Sequence, residues 1–296
     1  MHGPATLTVS LPSSWVKSNN LKKGDELNIE EDGKLLRVYP GEERLHVKGI
    51  KLDLSELDKE SISSIIAVLH KSGYDEVELT FKNPDVVKMI RDIINSMLMG
   101  YEIIEQKGNM CIVKNVSGDH PLELDALIRR SFLVALSLAK NSLEEIKKGK
   151  NGNLTEVLVL EQTNNKITNY CHRLLNKKPY KDEKTIYTYL VLWILESICD
   201  DYRDLIKLFI SEPKLVISEN LASIYGKVNS LFEEQYGLMY TWSPERLCKI
   251  RTDIKSLRQK LLTAKITVQE REVQSYLLSI INRVYESLGS LCGLHF

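Results

Sequence analysis

The chain has 296 residues, 43% of them hydrophobic, and its 40 basic side chains balance 40 acidic ones. This length predicts about two or three domains, and the neutral charge excludes a protein that is basic throughout but permits a local basic patch. The longest apolar run, residues 189–195, is too short for a membrane span, so we expect no membrane insertion. Five widely spaced cysteines without a CxxC pair, and no secretory signal pattern, predict reduced, buried thiols in a cytoplasmic protein.

The first forty residues predict short strands separated by tight turns. The run Thr6–Leu11 alternates as a strand does before a proline, and Ser13–Lys17 predicts one helical turn. A Gly-Asp pair at 24–25 predicts a turn before one strand, and an Asp-Gly pair at 32–33 predicts the turn that leads from it to a second strand at residues 34–40. Elements this short cannot bury a core of their own, so the segment requires a partner chain.

The order of residues 6–40, TLTVSLPSSWVKSNNLKKGDELNIEEDGKLLRVYP, resembles the SpoVT/AbrB swapped-hairpin domain. The resemblance implies a homodimer in which two chains interleave their hairpins into one small β-barrel that binds DNA. Lys17, Lys22 and Lys23 cluster around the helix and the loop after it, and a dimer presents this cluster twice. Because DNA-binding surfaces neutralise phosphates with such clusters, we predict these three lysines as DNA-binding residues.

A change of pattern after Pro40-Gly41 predicts a second domain over residues 42–118. Strand and helix periodicities alternate there and predict a β-α-β-α-β-β sandwich. The predicted elements are a strand at His46–Leu54, a helix from Ser55 to about Gly73, a strand at Tyr74–Phe81, a helix at Val86–Met99 and a hairpin of Tyr101–Glu105 with Met110–Val116. No glycine-rich phosphate loop follows these strands, so we expect this domain to connect or to sense.

Residues 119–296 are helical in pattern throughout. The breaks between apolar runs predict six helices, at 122–148, 152–177, 182–211, 214–240, 244–264 and 267–292. Long helices joined by short turns make antiparallel bundles, and six of them predict two three-helix bundles side by side. The predicted fold is multidomain α+β: a swapped-hairpin β-barrel formed by the dimer (residues 1–41), the small α/β sandwich (42–118) and an all-α domain (119–296).

Two pairs of polar residues in the helical region have a spacing that suits cation binding. Glu196 and Asp200 stand four residues apart, which places both carboxylates on one face of a helix, and Glu161 and Asn165 repeat the spacing on the helix before. Facing helices can gather such oxygens around a cation. A solvated face, or a pair bonded to a following cation, explains the same spacing. The candidates for that cation are Arg203 and Lys207.

Six helices in two halves, with LESICDDYRDL on the third, resemble the PhoU family of phosphate-signalling proteins. The run VLVLEQTNNKITNYCHRLLNKK on the second helix resembles the archaeal branch, in which a PhoU-like domain follows a SpoVT/AbrB domain. The resemblance implies a divalent or iron-type metal in the first half, held by Glu161, Asn165, Glu196 and Asp200. In the second half, Asn282 and Lys249 stand where the family has acids, so we expect that site to be lost.

Together the two resemblances predict a regulator of phosphate uptake that binds DNA as a dimer and senses a metal or ligand through its helical domain. The alternative is a PhoU-type adaptor that docks on a phosphate transporter or kinase while the N-terminal domain only dimerises. Five positive and five negative charges in residues 1–40 favour this alternative. No catalytic triad order, nucleophile elbow, Walker loop or zinc-protease motif is present, so we do not expect an enzyme.

Overall fold

The computed structural model describes residues 8–32, 35–40, 48–119, 123–149, 152–177 and 183–296. The chain divides into two compact units, Met1–Val47 and Lys48–Phe296, so the first boundary lies six residues beyond the predicted position at 41. The smaller unit contains short strands and the larger unit is mostly helical. Among the described residues, none of the helices is long and apolar enough to cross a membrane.

The smaller unit is built around one antiparallel hairpin. Its described elements are α1 (Ser13–Ser18), β1 (Leu27–Asp32) and β2 (Leu35–Pro40). β1 pairs with β2 so that Leu27 lies opposite Pro40 and Ile29 lies opposite Val38. The first predicted strand, Thr6–Leu11, does not form over residues 8–11, and its first two residues lie outside the described chain. A strand needs a hydrogen-bonded neighbour, and in a swapped hairpin that neighbour belongs to the second chain.

The larger unit begins with a four-stranded sheet and two helices, in the predicted order. They are β3 (Gly49–Asp53), α2 (Lys59–Lys71), β4 (Glu76–Thr80), α3 (Val86–Met97), β5 (Tyr101–Lys107) and β6 (Met110–Asn115). The sheet order is β3-β4-β6-β5, with β3 parallel to β4 and the other neighbours antiparallel. The start of α2 is fixed by Asp58, whose carboxylate accepts a hydrogen bond from the Ser61 N–H. Apolar side chains of both helices and the sheet form one core.

Six helices follow, in two groups of three. The first group is α4 (Leu124–Lys147), α5 (Leu154–Lys177) and α6 (Glu183–Ser211); the second is α7 (Glu219–Tyr240), α8 (Pro244–Leu262) and α9 (Arg271–Gly293). The helices of each group pack on one another, while α6 packs on α9 and α4 packs on α7. The two groups therefore share one continuous core, which spans all six helices.

Two of these helices begin four or five residues later than the sequence pattern predicted. Before α9, Thr267 and Glu270 form a reciprocal capping pair: the Thr267 N–H donates to the Glu270 carboxylate at 2.8 Å, and the Glu270 N–H donates to the Thr267 hydroxyl at 3.3 Å. The same carboxylate accepts from the Ser218 N–H at 2.7 Å, directly before α7. One buried side chain thus fixes both helix starts, an arrangement that no local pattern reveals.

The sheet region and the helical region form one compact unit, so the predicted boundary at 118 runs through its interior. Helices α2 and α3 pack against α5, and the completely buried Arg173 side chain of α5 contacts the segment after α2 at Tyr74 and Asp75 and the loop at Asp119. Cys111, Cys171 and Cys199 are buried and free of disulfides, as predicted. The prediction of a buried thiol is wrong for Cys248, which is exposed because it lies on the outer face of α8.

Candidate DNA-binding face and the carboxylate cluster

The three predicted DNA-binding lysines lie together around a short, well-defined loop. Lys17 is in the last turn of α1, and Lys22 and Lys23 follow in the loop. The Asp25 carboxylate accepts from the Lys22 N–H at 2.7 Å, and the Lys22 carbonyl accepts from the Asp25 N–H at 3.1 Å. Gly24 between them has φ +104°, a conformation that favours glycine. The LKKGD sequence therefore folds the loop by itself.

The lysine side chains of this loop are exposed, and within the described ranges none of them pairs with a carboxylate. Their charges are consequently available to an external anion. Because the Asp25 carboxylate is engaged with the backbone of the loop, it shapes the loop and does not neutralise a lysine ammonium group in a direct ion pair. The equal charge count of this segment thus understates its capacity for phosphate contact.

One face of the hairpin carries four apolar residues, two of which are largely exposed. The register of β1 with β2 places Leu27, Ile29, Leu36 and Val38 on the same face, since side chains alternate along each strand. Ile29 is 60% exposed and Leu36 is 67% exposed. A two-stranded hairpin with such a face is not stable alone in water and requires a second layer. The sequence already carried this signal in its alternating apolar residues.

In the helical region, α5 and α6 bring two of the predicted metal-binding carboxylates, Glu161 and Asp200, together around an arginine, which does not contact the third, Glu196. Arg203 on α6 forms an ion pair with Asp200 one turn before it, and its Nη1 lies 3.3 Å from Oε1 of Glu161 on α5. Its Nε lies 2.9 Å from the Asp204 carboxylate. Asn165 donates its side-chain N–H to the same Glu161 oxygen at 2.6 Å. We call these residues the Arg203 cluster.

The electrostatics of the Arg203 cluster follow from burial. Burial raises the pKa of Glu161, and the Arg203 charge with the Asn165 hydrogen bond offsets only part of that rise. The pKa of Asp200 is likewise raised by burial in spite of Arg203. Glu196, one turn before Asp200, also has its pKa raised by burial. The Arg203 charge therefore opposes the effect of burial on the pKa values of Glu161 and Asp200, whereas for Glu196 the Lys71 charge is the larger opposing influence.

The Arg203 cluster does not fit a metal ion in its folded arrangement. A divalent cation needs several anionic or neutral oxygen ligands, whereas a fixed positive charge already lies between Glu161 and Asp200. Among the described residues, no group of three or more His, Cys, Asp or Glu side chains is placed to hold a metal. The alternative of a carboxylate bonded to Arg203 is confirmed for Asp200.

Two positions of the second half at which the PhoU resemblance expects acids also lie in polar contacts that involve a cationic side chain. Asn282 on α9 accepts a hydrogen bond from Arg258 on α8 at 2.5 Å. Lys249, the other position where the PhoU resemblance expects an acid, pairs with Glu234 on α7 at 2.8 Å. At position 282 a cationic side chain, Arg258, therefore contacts the residue where the motif expects a ligand, and at position 249 the residue itself is cationic.

A double substitution in the Arg203 cluster tests whether arginine has displaced a metal. In R203Q/N165D the fixed charge is removed and a carboxylate is added, so we expect Mn²⁺ or Zn²⁺ to bind at least about tenfold more tightly than to the unmodified chain. Isothermal titration calorimetry measures this directly. Adding Glu161→Gln to the double variant is the control and should abolish the gain. Stoichiometric metal in the unmodified protein, found by elemental analysis after dialysis, would contradict the arginine assignment.

The short strands, the LKKGD loop and the partly exposed hairpin face are features that the resemblance predicts for a swapped-hairpin domain of the SpoVT/AbrB class. Within that class, the family model described as antidote-toxin recognition MazE, bacterial antitoxin, matches residues 3–45. This match covers nearly all of the smaller unit, and it confirms the prediction for the N-terminal segment. Comparison of the whole chain with curated proteins and with solved structures finds no match.

Proposed function

We propose that the chain is a DNA-binding regulator that acts as a homodimer. The observation that carries the proposal is the combination, in one swapped-hairpin domain, of exposed lysines without an ion pair among the described residues and an apolar hairpin face that needs a second chain. Dimerisation buries the apolar face and doubles the three lysines. Six ammonium groups on one surface are enough for strong, salt-sensitive contact with the phosphates of a DNA duplex.

Removing the lysine charges tests this role. We expect K17Q/K22Q/K23Q to bind a labelled duplex at least about tenfold more weakly than the unmodified chain, because each lost phosphate contact also removes about 0.9 from the slope of log K against log salt. Fluorescence anisotropy over a salt series gives both quantities. The matched control is K184Q/K214Q/K227Q, which removes three exposed lysines that have no ion pair in the described structure. Equal affinities for the two triple variants would contradict the assignment.

The helical region supports a regulatory rather than a catalytic role within this proposal. Two three-helix groups with a shared core resemble the PhoU arrangement, and we propose that this region relates DNA binding to phosphate supply. The Arg203 cluster supplies charged, partly buried groups whose ionisation is sensitive to their surroundings. Deleting the gene for this protein and measuring the expression of phosphate-uptake genes tests the link to phosphate supply. We expect their expression to change, and unchanged expression would contradict this link.

A second candidate function is that of a protein-binding adaptor. The matched family is described as recognising a toxin, and the smaller unit carries as many acidic as basic residues in its first forty positions. In this version the N-terminal domain only dimerises, and the chain docks on a protein such as a toxin, a phosphate transporter or a kinase. A dimer that shows no salt-sensitive DNA binding at low salt, yet retains a stable protein partner, would favour the adaptor.

A further inference from the structure

Helix α8 is strongly basic in a chain that is neutral overall. It carries six basic side chains and only two acidic ones, Glu245 and Asp253. Its four buried residues, Ile250, Ile254, Leu257 and Leu261, lie on one narrow stripe in the helical core, which leaves a wide outer surface in water. The basic residues must therefore be neutralised by neighbouring helices or remain available to something outside the chain.

Some of these cations are neutralised from α7. Glu234 lies 2.8 Å from Lys249 and 3.7 Å from Arg246, and Arg246 also donates to the Gly237 carbonyl at 3.0 Å. These two cations face the α7 side of the helix. Their charges are accounted for inside the protein, and they contribute little to an external site.

Three other cations of α8 form a separate row. Arg251, Lys255 and Arg258 follow one another at i, i+4 and i+7, which places them on one flank of the helix. Arg251 and Lys255 are exposed, and Arg258 is half-buried because it donates to the neutral Asn282 side chain. In the part of the chain that the structure describes, none of the three pairs with a carboxylate. We call this row the α8 basic row.

The dimensions of the α8 basic row suit an extended anion. Seven residues of helix separate its ends, which is about 10 Å at 1.5 Å per residue. At 100° per residue, both acidic residues of α8 lie off this flank, so no carboxylate interrupts the row. A single small anion would need an enclosed set of donors, whereas these three side chains are spread along an open surface. Successive phosphates of a nucleic-acid backbone match this spacing and this exposure.

A membrane surface is a poorer match. Helices that lie on membranes insert an apolar face beneath their basic residues. The apolar stripe of α8 is already used in the core, as the burial of Ile250, Ile254, Leu257 and Leu261 shows. The row therefore offers charge without an insertable face, which favours a polyanion in water.

We propose that the α8 basic row is a second DNA-backbone contact, separate from the lysines of the swapped-hairpin domain. The inference rests on the proposed function, since it concerns the same DNA duplex. The row contributes affinity without reading sequence, because phosphate contacts carry no base information. It gives the helical region a direct part in DNA binding, so that a change in this region can alter affinity without any change in the hairpin domain.

The test compares full-length R251Q/K255Q/R258Q with the control K184Q/K214Q/K227Q, which loses the same charge from α6, α7 and the turn between them. We expect the slope of log K against log salt to fall by about 2.7 for each contacting protomer and the affinity to fall at least about tenfold, with the control unchanged. R251K/R258K keeps the charges and should retain the slope of the unmodified chain. Thermal unfolding shows whether each variant is folded. If the triple variant is unfolded, the double variant R251Q/K255Q replaces it, because this double variant keeps the hydrogen bond from Arg258 to Asn282.

The outcomes separate this inference from the proposed function. If K17Q/K22Q/K23Q weakens DNA binding and the α8 variant matches the control, the α8 contact is overturned while the proposed function stands. If the unmodified chain shows no salt-sensitive DNA binding at low salt, both are overturned. Binding of the unmodified chain to phosphatidylserine vesicles but not to DNA, lost in the α8 variant, would also overturn the DNA assignment.

Discussion

Replacing Arg173 by Met is expected to lower the free energy of unfolding by about 3–5 kcal/mol, because it removes the buried cation of two carboxylates and leaves them only the partly exposed Lys177. Arg173 is completely buried on α5. Its Nε donates to the Asp119 carboxylate at 2.7 Å, its Nη1 donates to the Tyr74 carbonyl at 2.6 Å, and its Nη2 pairs with Asp75. One side chain thus ties the sheet region and the following loop to the helical bundle.

The same two carboxylates are also held by Lys177, one turn further along α5. Its Nζ lies 2.6 Å from Asp75 and 2.8 Å from Asp119. Burial raises the pKa of Asp75, but the hydrogen bond from Lys177, the backbone N–H of Lys48 and the Arg173 charge outweigh it, so the pKa lies below its usual value. The pKa of Asp119 is lowered in the same way, against burial, by Arg173 and Lys177. Both carboxylates are therefore ionised in the folded protein at neutral pH.

Denaturant unfolding of Arg173→Met measures the expected loss. The control is Lys82→Met, which breaks an ion pair with Glu56 in which both side chains are largely exposed, and should cost less than about 1 kcal/mol. Arg173→Lys should recover only part of the stability, because an ammonium group cannot donate to three acceptors in the planar geometry of a guanidinium. A loss for Arg173→Met no larger than that of the control would show that the cluster does not join the two regions.

Replacing Ile29 by Asp is expected to weaken dimerisation at least about a thousandfold, because each chain then places an unpaired charge in the apolar face of the hairpin. Ile29 lies directly opposite Val38 on that face, with Leu27 on the same strand, and it is largely exposed in the single chain. Sedimentation velocity at micromolar concentration should show a dimer for the unmodified chain and a monomer for the variant.

The matched control for this substitution is Asn28→Asp. It introduces the same charge at the preceding residue of β1, where the side chain points to the opposite face of the hairpin. We expect this variant to remain dimeric. If both variants dimerise as the unmodified chain does, the apolar face of the hairpin is not the dimer interface.

The local features of the larger unit were predictable because local signals encode them. Gly73 and Gly100 have positive φ and follow α2 and α3, at the positions where the sequence predicted that these helices end. Ser243 and Pro244 begin α8, also as predicted. The junction between the sheet region and the bundle was not predictable in this way. Arg173 and Asp75 are 98 residues apart in the chain, and nothing in either neighbourhood indicates the other.

The candidate sites show a different limit. A spacing of four residues places Glu196 and Asp200 on one helix face whether they bind a metal or an arginine, so spacing alone could not decide between them. The position of Arg203 between two helices decides in favour of the ion pair for Asp200. The α8 basic row was readable from the i, i+4, i+7 spacing of its cations, but the neutral total charge of the chain conceals it.

Sedimentation velocity of the full-length protein with a fluorescently labelled DNA duplex is the most direct test of dimeric DNA binding. We predict that at low salt the duplex sediments with two protein chains, and that raising the salt releases the duplex while the protein remains a dimer. A monomeric protein, or a dimer that leaves the duplex sedimenting alone at low salt, would contradict the proposed function.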